Sequence, residues 1–233
     1  MDRTEHVKAF FEDTDLYLKN NYGIAFRRDI INTYTGGKKF SNILDVGCGD
    51  SSLSHFLLNE SNGLTLVDIS QNMLTKAELK FRSDEVKRVK FICGEIDAQN
   101  FQDEKFDLIL AVGILAHVPS VKGMIEKLSS LLNKDGFLII QFTDHSNFLS
   151  RFNSTIRKMN GTGQYQVNKT RHEEVIKLLD DNHFSIRQMD RYSILLPGFG
   201  RFGSKFLYRY THFTHRTFLS AMGTDVLLLA QKV

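Results

Sequence analysis

Cysteine, proline and long apolar runs are all scarce in this 233-residue chain. Its two cysteines, Cys48 and Cys93, lie far apart with no metal-type spacing, which excludes a zinc-ribbon framework or a disulfide scaffold. Both fall at expected sheet-edge positions and are expected to stay reduced, as in a cytoplasmic protein. Pro119 and Pro197 are the only prolines, so few positions forbid regular structure. No apolar run reaches the length of a bilayer-spanning helix. Internal repeats and low-complexity tracts are absent, which excludes solenoids and fibrous arrays. Asp2, Glu5, Glu12 and Asp13 make the first residues unlike a secretory leader. A formal net charge of +3 is too small to imply nucleic acid, and no nucleic-acid partner is expected.

The distribution of charge is more informative than its sum. Arg191, Arg201, Lys205, Arg209 and Arg216 occupy a segment without a single acid, and the rest of the chain is slightly acidic. Tyr208, Tyr210 and Phe213 interleave with these bases. Such a stripe suits an anionic or lipid-linked substrate, peripheral membrane contact through 191–216, or RNA. The competing reading is a solvated basic face whose aromatics complete the core.

Length suits one domain with a substantial core. Strand patterns fall at Asn42–Val46, Leu64–Val67, Val89–Cys93, Phe106–Val112 and Gly136–Phe142, then at Phe184–Tyr192 and Asp225–Gln231. Helical patterns over Ser52–Asn59, Gln71–Ser83 and Val121–Leu132 separate the first five. Thr170-Arg171-His172-Glu173 reads as a capping box opening a helix to about Asp181. Asn133-Lys134-Asp135-Gly136 reads as a helix stop. Strands and helices alternating at this spacing form a parallel sheet covered on both faces. Two segments fall outside the pattern: the helical 1–35, and the long polar 143–169 after the fifth strand. With 193–220 they are candidates for a cap over the sheet's carboxyl edge, where ligands of open α/β sheets bind.

Two stretches carry the chemistry. Ile43-Leu44-Asp45-Val46-Gly47-Cys48-Gly49 reads as a buried strand entering a sharp turn, and Ser51 as the start of a helix. Leu64-Thr65-Leu66-Val67-Asp68-Ile69-Ser70 ends a second strand in an acid nineteen residues after Gly49, where a ribose-binding site needs a carboxylate. Ser70 then caps a helix through Met73. Cys93-Gly94-Glu95 follows, with Glu95 twelve residues before Asp107 of Phe106-Asp107.

Together these motifs resemble class I S-adenosylmethionine-dependent methyltransferases over about residues 41–144. The resemblance implies a three-layer Rossmann-like α/β fold: a mostly parallel seven-stranded sheet whose antiparallel last strand lies between the fifth and sixth. It divides the chain into an N-terminal helical cap (1–35), a cofactor-binding core (36–142), an inserted acceptor segment (143–169) and the rest of the sheet (170–233). S-adenosylmethionine would be the cofactor and S-adenosylhomocysteine the product. Asp45 would lie near the methionine amino group, Gly47 and Gly49 would admit the cofactor closely, and Cys48 would fill space between them. Asp68, with Ile69 and Met73, would hold the ribose. Glu95 and the amide of Ile96 would meet the adenine, with Asp97 competing for that role, and Ala111 and Val112 would line the methionine arm. Tyr17 and Tyr22 are candidates to close over the site. His145 is the first candidate base, followed by His117 and His172. The implied function is methyl transfer to an oxygen or nitrogen of a small-molecule acceptor, anionic, sugar-linked or lipid-linked. The alternative is a catalytically inactive cofactor-binding sensor or partner subunit. A dinucleotide-dependent dehydrogenase fits less well, because Ser52 stands where its third glycine belongs.

Overall fold

Strands rich in Leu, Ile and Val, separated by amphipathic helices, bury both faces of one sheet. In this computed structural model, residues 21–99, 101, 104–159, 168–194, 199 and 202–233 are described, side chains at 21 and 154–159 excepted. The chain begins α1 (Asn21–Thr35), β1 (Asn42–Val46), β2 (Gly63–Asp68), α2 (Gln71–Glu78), β3 (Val89–Cys93), β4 (Phe106–Val112) and α3 (Val121–Leu131). It continues β5 (Leu132–Thr143), α4 (Phe148–Met159), α5 (His172–Asp181), β6 (Phe184–Tyr192), α6 (Ser204–His215) and β7 (Asp225–Lys232). Strand order is β3-β2-β1-β4-β5-β7-β6, with β7 antiparallel to both neighbours and the other pairs parallel. This is the expected topology. The order reverses between β1 and β4, and a crevice opens at such a switch point beyond the strands' carboxyl ends.

Alternate residues of each strand feed opposite cores, as the two-residue strand period requires. Leu44, Ile109, Ile140 and Leu228 face Met124, Ile125 and Leu128 of α3 and Val175 and Leu179 of α5. Ile43, Leu108, Ile139 and Leu229 face Phe26, Ile30, Ile31 and Tyr34 of α1 and Leu74 of α2. Each such side chain contributes about 1.5–3 kcal/mol of burial. The described part of the N-terminal segment is therefore a layer of the core, where a cap was expected. Its last turn is anchored to the sheet: the Tyr34 hydroxyl lies 2.6 Å from Asp190 Oδ2 and 3.0 Å from the Leu227 carbonyl oxygen. Tyr34→Phe should lower unfolding free energy by about 1–3 kcal/mol, because it strips a partly buried carboxylate of a donor. Urea denaturation measures it, and an unchanged midpoint would show the bond to be idle.

Local chemistry corrects several expectations. The helix at Ser52–Asn59 is only a 3-10 turn at His55–Leu57. Ser51 adopts φ +56°, and Asp50 draws in the Ser52 amide (3.2 Å) and hydroxyl (2.9 Å), an alternative to helical pairing. The second helix stops at Glu78, short of Ser83. β5 starts at Leu132, so Asn133–Gly136 is an irregularity inside a strand, marked by Asp135 at φ +63° and a register shift between Phe106 and Leu108. Thr170 does not cap α5: its hydroxyl donates to the Thr143 carbonyl (2.8 Å), while Asp144 Oδ1 receives the His172 amide (3.2 Å). The polar segment after β5 contains α4 and is no extended loop. Of the two cysteines, only Cys93 ends an edge strand. Cys48 follows central β1 and is buried. Residues 1–20 with Tyr17, together with Pro197 and Arg201, lie outside the described residues.

Candidate active site

At the carboxyl ends of β1 to β4 the turns enclose a cavity of about 330 Å³. β1 delivers Gly47 and Gly49 to its wall, β2 Asp68 and Ile69, β3 Glu95, Ile96 and Asp97, and β4 Val112 and Gly113. Met73 of α2 and His117 in the turn after β4 complete the expected lining. Gly47 has φ +69°, and a Cβ there would stand 3.2 Å from the Ile114 side chain, so only glycine fits without strain. Gly113, at φ +83°, turns the chain beneath the converging Arg27 and Gln141 side chains. A Cβ on Gly113 would lie 4.0 Å from Arg27 Nη1 and 3.7 Å from Gln141 Oε1.

Asp68 joins the two sequence motifs physically. Its Oδ2 accepts the Gly49 amide at 2.8 Å and its Oδ1 the Ser70 amide at 2.9 Å. Ser70 in turn caps α2 by accepting the Met73 amide at 3.2 Å. Behind this wall Asp45 is 3 % exposed, with Oδ2 lacking a partner among the described residues. Burial pushes its carboxyl up to about 7; Ser54 opposes the rise, and the Asp68 and Asp50 charges add to it. Asp50 behaves oppositely. Burial raises it too, yet Lys80 Nζ at 2.6 Å and Ser52 hold it below the usual carboxylate range. Burial pushes the Cys48 thiol well above its ordinary value, leaving it inert as a nucleophile.

Gly47, Gly49, Asp68, Ile69, Met73, Glu95, Ile96, Val112 and His117 are therefore brought together, along with Asp97. Asp45, Cys48, Ala111, Tyr22 and His145 are not on the lining. The His145 ring is held by its own loop, with Nδ1 3.0 Å from the Thr143 carbonyl oxygen, and its amide donates to the Thr170 carbonyl at 2.9 Å. Burial first, then Asp225, raises the Tyr22 hydroxyl, while Arg27 opposes. Asp107 is a structural tie: its carboxylate receives the Ser41 and Asn42 amides and the Asn133 side chain.

Arg27 is the charged lining residue that sequence reasoning missed, along with apolar lining such as Ile114, Val118 and Met124. It reaches the cavity from α1, an element outside every motif. The available signal was its place beside the buried stripe of Phe26, Ile30, Ile31 and Tyr34.

A doubly wound sheet with an acid-bound glycine turn at its switch point defines a protein built to bind a nucleotide-type cofactor. A family model described as a methyltransferase domain matches residues 38–190, and the chain belongs to that family, the class I S-adenosylmethionine-dependent methyltransferases. It is 28 % identical over 144 residues to malonyl-[acyl-carrier protein] O-methyltransferase 2 of Ilyobacter polytropus, covering 61 % of this chain and 54 % of the relative. To the ubiquinone biosynthesis O-methyltransferase of Coxiella burnetii it is 29 % identical over 110 residues, 47 % and 46 % of the two chains. The chain thus spans about half the length of these curated relatives. Magnesium protoporphyrin IX methyltransferase from Synechocystis PCC 6803, solved with bound S-adenosylhomocysteine, shares the fold across 100 % of both chains, with a TM-score of 0.68 and 18 % identity.

Proposed function

We propose that this chain transfers a methyl group from S-adenosylmethionine to an oxygen or nitrogen of a small-molecule acceptor. The observation that carries the reading is the polarity of the cavity: three acids, Asp68, Glu95 and Asp97, line the β2–β3 side, and Arg27 enters from α1. That pattern fits a ligand with hydroxyls and an amino group at one end and a zwitterionic amino acid at the other. Asp68 is the acceptor for the ribose hydroxyls, since each carboxylate oxygen offers more than one lone pair. Glu95 accepts from the adenine amino group beside the Ile96 amide. Arg27 meets the carboxylate of the methionine arm. The buried carboxyl of Asp45, with one oxygen unpartnered among the described residues, lies behind the wall and would add negative charge toward the methionine ammonium group once it ionises, above about pH 7. When bound, the cofactor supplies an electrophilic methyl carbon. The chain aligns the acceptor and excludes water.

His117 is the first candidate base for a hydroxyl acceptor, because it lies on the wall and His145 does not. Both of these relatives are O-methyltransferases by name, which favours oxygen over nitrogen as the acceptor atom. The basic C-terminal segment favours an anionic acceptor, sugar- or lipid-linked. Labelled S-adenosylmethionine offered with phenolic, carboxylate and amine acceptors tests the reading. Transfer that falls at least about tenfold in His117→Ala supports it. Cofactor binding without transfer to any acceptor points to the inactive sensor instead. In the same protein Glu95→Gln should weaken S-adenosylhomocysteine more than Asp97→Asn does. The reverse ranking would move the adenine contact two residues along the chain.

A further inference from the structure

We propose that the outer face of α6 and the turn after it form a docking surface for an anionic lipid bilayer. The inner face of α6 is fully engaged. Leu207, Thr211 and Thr214 are buried, the Tyr208 hydroxyl donates to Asp29 Oδ2 at 2.5 Å, and His212 Nε2 lies 3.1 Å from the same oxygen. Phe26 of α1 packs edge-on against the His212 and His215 rings, with centroids 4.9 and 5.3 Å away. That contact pins α6 to the helix that also carries Arg27.

The outer face is a stripe of opposite character. Phe206, Arg209 and Phe213 stand at spacings of three and four along one side of α6, flanked by Phe202 just before the helix and Arg216 at its C-cap. All are exposed: Phe202 at 51 %, Phe206 at 49 % and Phe213 at 67 %. Phe218, in the 3-10 turn at Phe218–Met222, is 87 % exposed and prolongs the apolar edge. No acid occurs in the sequence between Asp190 and Asp225.

Phenylalanine rings interleaved with arginines on one solvent-facing stripe match the interface between lipid headgroups and acyl chains. There the rings leave water while the guanidinium groups stay among phosphates. Each base near an anionic leaflet adds to the attraction, and salt screens it. A second copy of the chain suits this face poorly, since Arg209 and Arg216 would meet their own like charges. Single-stranded RNA, which stacks its bases on aromatic rings beside basic groups, is the competing occupant and forms an arm of the test.

The test is flotation of the full chain with vesicles of phosphatidylcholine alone and with about 30 mol% phosphatidylglycerol added. Binding is expected at least about tenfold stronger on the anionic vesicles and should collapse at about 0.5 M salt. The double variants Phe206→Ser/Phe213→Ser and Arg209→Gln/Arg216→Gln should each lower partitioning about tenfold, with thermal midpoint and S-adenosylhomocysteine affinity unchanged. The cofactor readout separates this proposal from the catalytic one, since either can fail alone. Equal flotation of wild type and variants would overturn the docking surface. So would absence of binding to anionic vesicles, binding to single-stranded RNA in their place, or a dimer that the phenylalanine variants dissolve.

Discussion

Replacing Asp68 with alanine should weaken S-adenosylhomocysteine binding roughly 30- to 100-fold, about 2–3 kcal/mol. It should also destabilise the ligand-free protein. Both effects have one origin. Asp68 is buried, and its two oxygens hold the Gly49 and Ser70 amides at 2.8 and 2.9 Å. Alanine strands two backbone donors at once, relaxes the turn that presents Gly47 and Gly49, and removes the acceptor proposed for the ribose. Asp68→Asn is the instructive companion. Its amide nitrogen cannot accept, so one N–H would confront another, and most of the loss should persist despite equal size. Calorimetry reads the affinity and thermal melting the stability. An Asp68→Ala protein that melts and binds like wild type would mean that the ribose site lies elsewhere.

The second large effect is a pH dependence centred on Asp45. Its carboxyl is raised to about 7 from an unperturbed 3.8, mainly by burial. Below the lower value both folded and unfolded chains hold the proton, and the group costs nothing. As pH rises between the two, the unfolded chain releases its proton while the native one keeps it, so stability falls. Above the upper value the penalty is complete. The span corresponds to as much as about 4 kcal/mol. Asp50, Asp107, Asp144 and Asp190 are held low and contribute in the opposite sense, so the whole-protein profile mixes the two. The difference between wild type and Asp45→Asn isolates the one group. Urea unfolding at pH 4.5 and pH 8 should show asparagine gaining on aspartate by a few kcal/mol at the higher pH. A difference that does not change with pH would show Asp45 to be ionised and satisfied.

How much of this was legible beforehand follows from the range of each interaction. The bounds of β1, β3, β4 and β6 coincide with the sequence pattern, and the first three are stopped by Gly47, Gly94 and Gly113. Asp68, Glu95 and the glycine turn were legible because strand ends in a parallel sheet converge at one edge. The first helix was misread because Ser51 and Ser52 look like a cap, whereas Asp50 binds Ser52 and Lys80 and turns the backbone aside. The start of β5 was missed because Asn133-Lys134-Asp135-Gly136 carries turn residues at a register irregularity inside the strand. Arg27 stands beside the apolar stripe of α1, a signal that marks a site only once that helix packs against the sheet and brings the side chain to the cavity. His145 was over-weighted on its place after β5, where its own carbonyl neighbour holds the ring.

The central claim is that the cavity at the ends of β1 to β4 binds S-adenosylmethionine and its demethylated product. Titration calorimetry of the full chain with S-adenosylhomocysteine and with NAD tests it most directly. One equivalent of S-adenosylhomocysteine should bind at micromolar affinity and lose that affinity in Asp68→Ala, while NAD gives no heat. Binding of NAD in its place, or S-adenosylhomocysteine binding untouched by Asp68→Ala, would contradict the account.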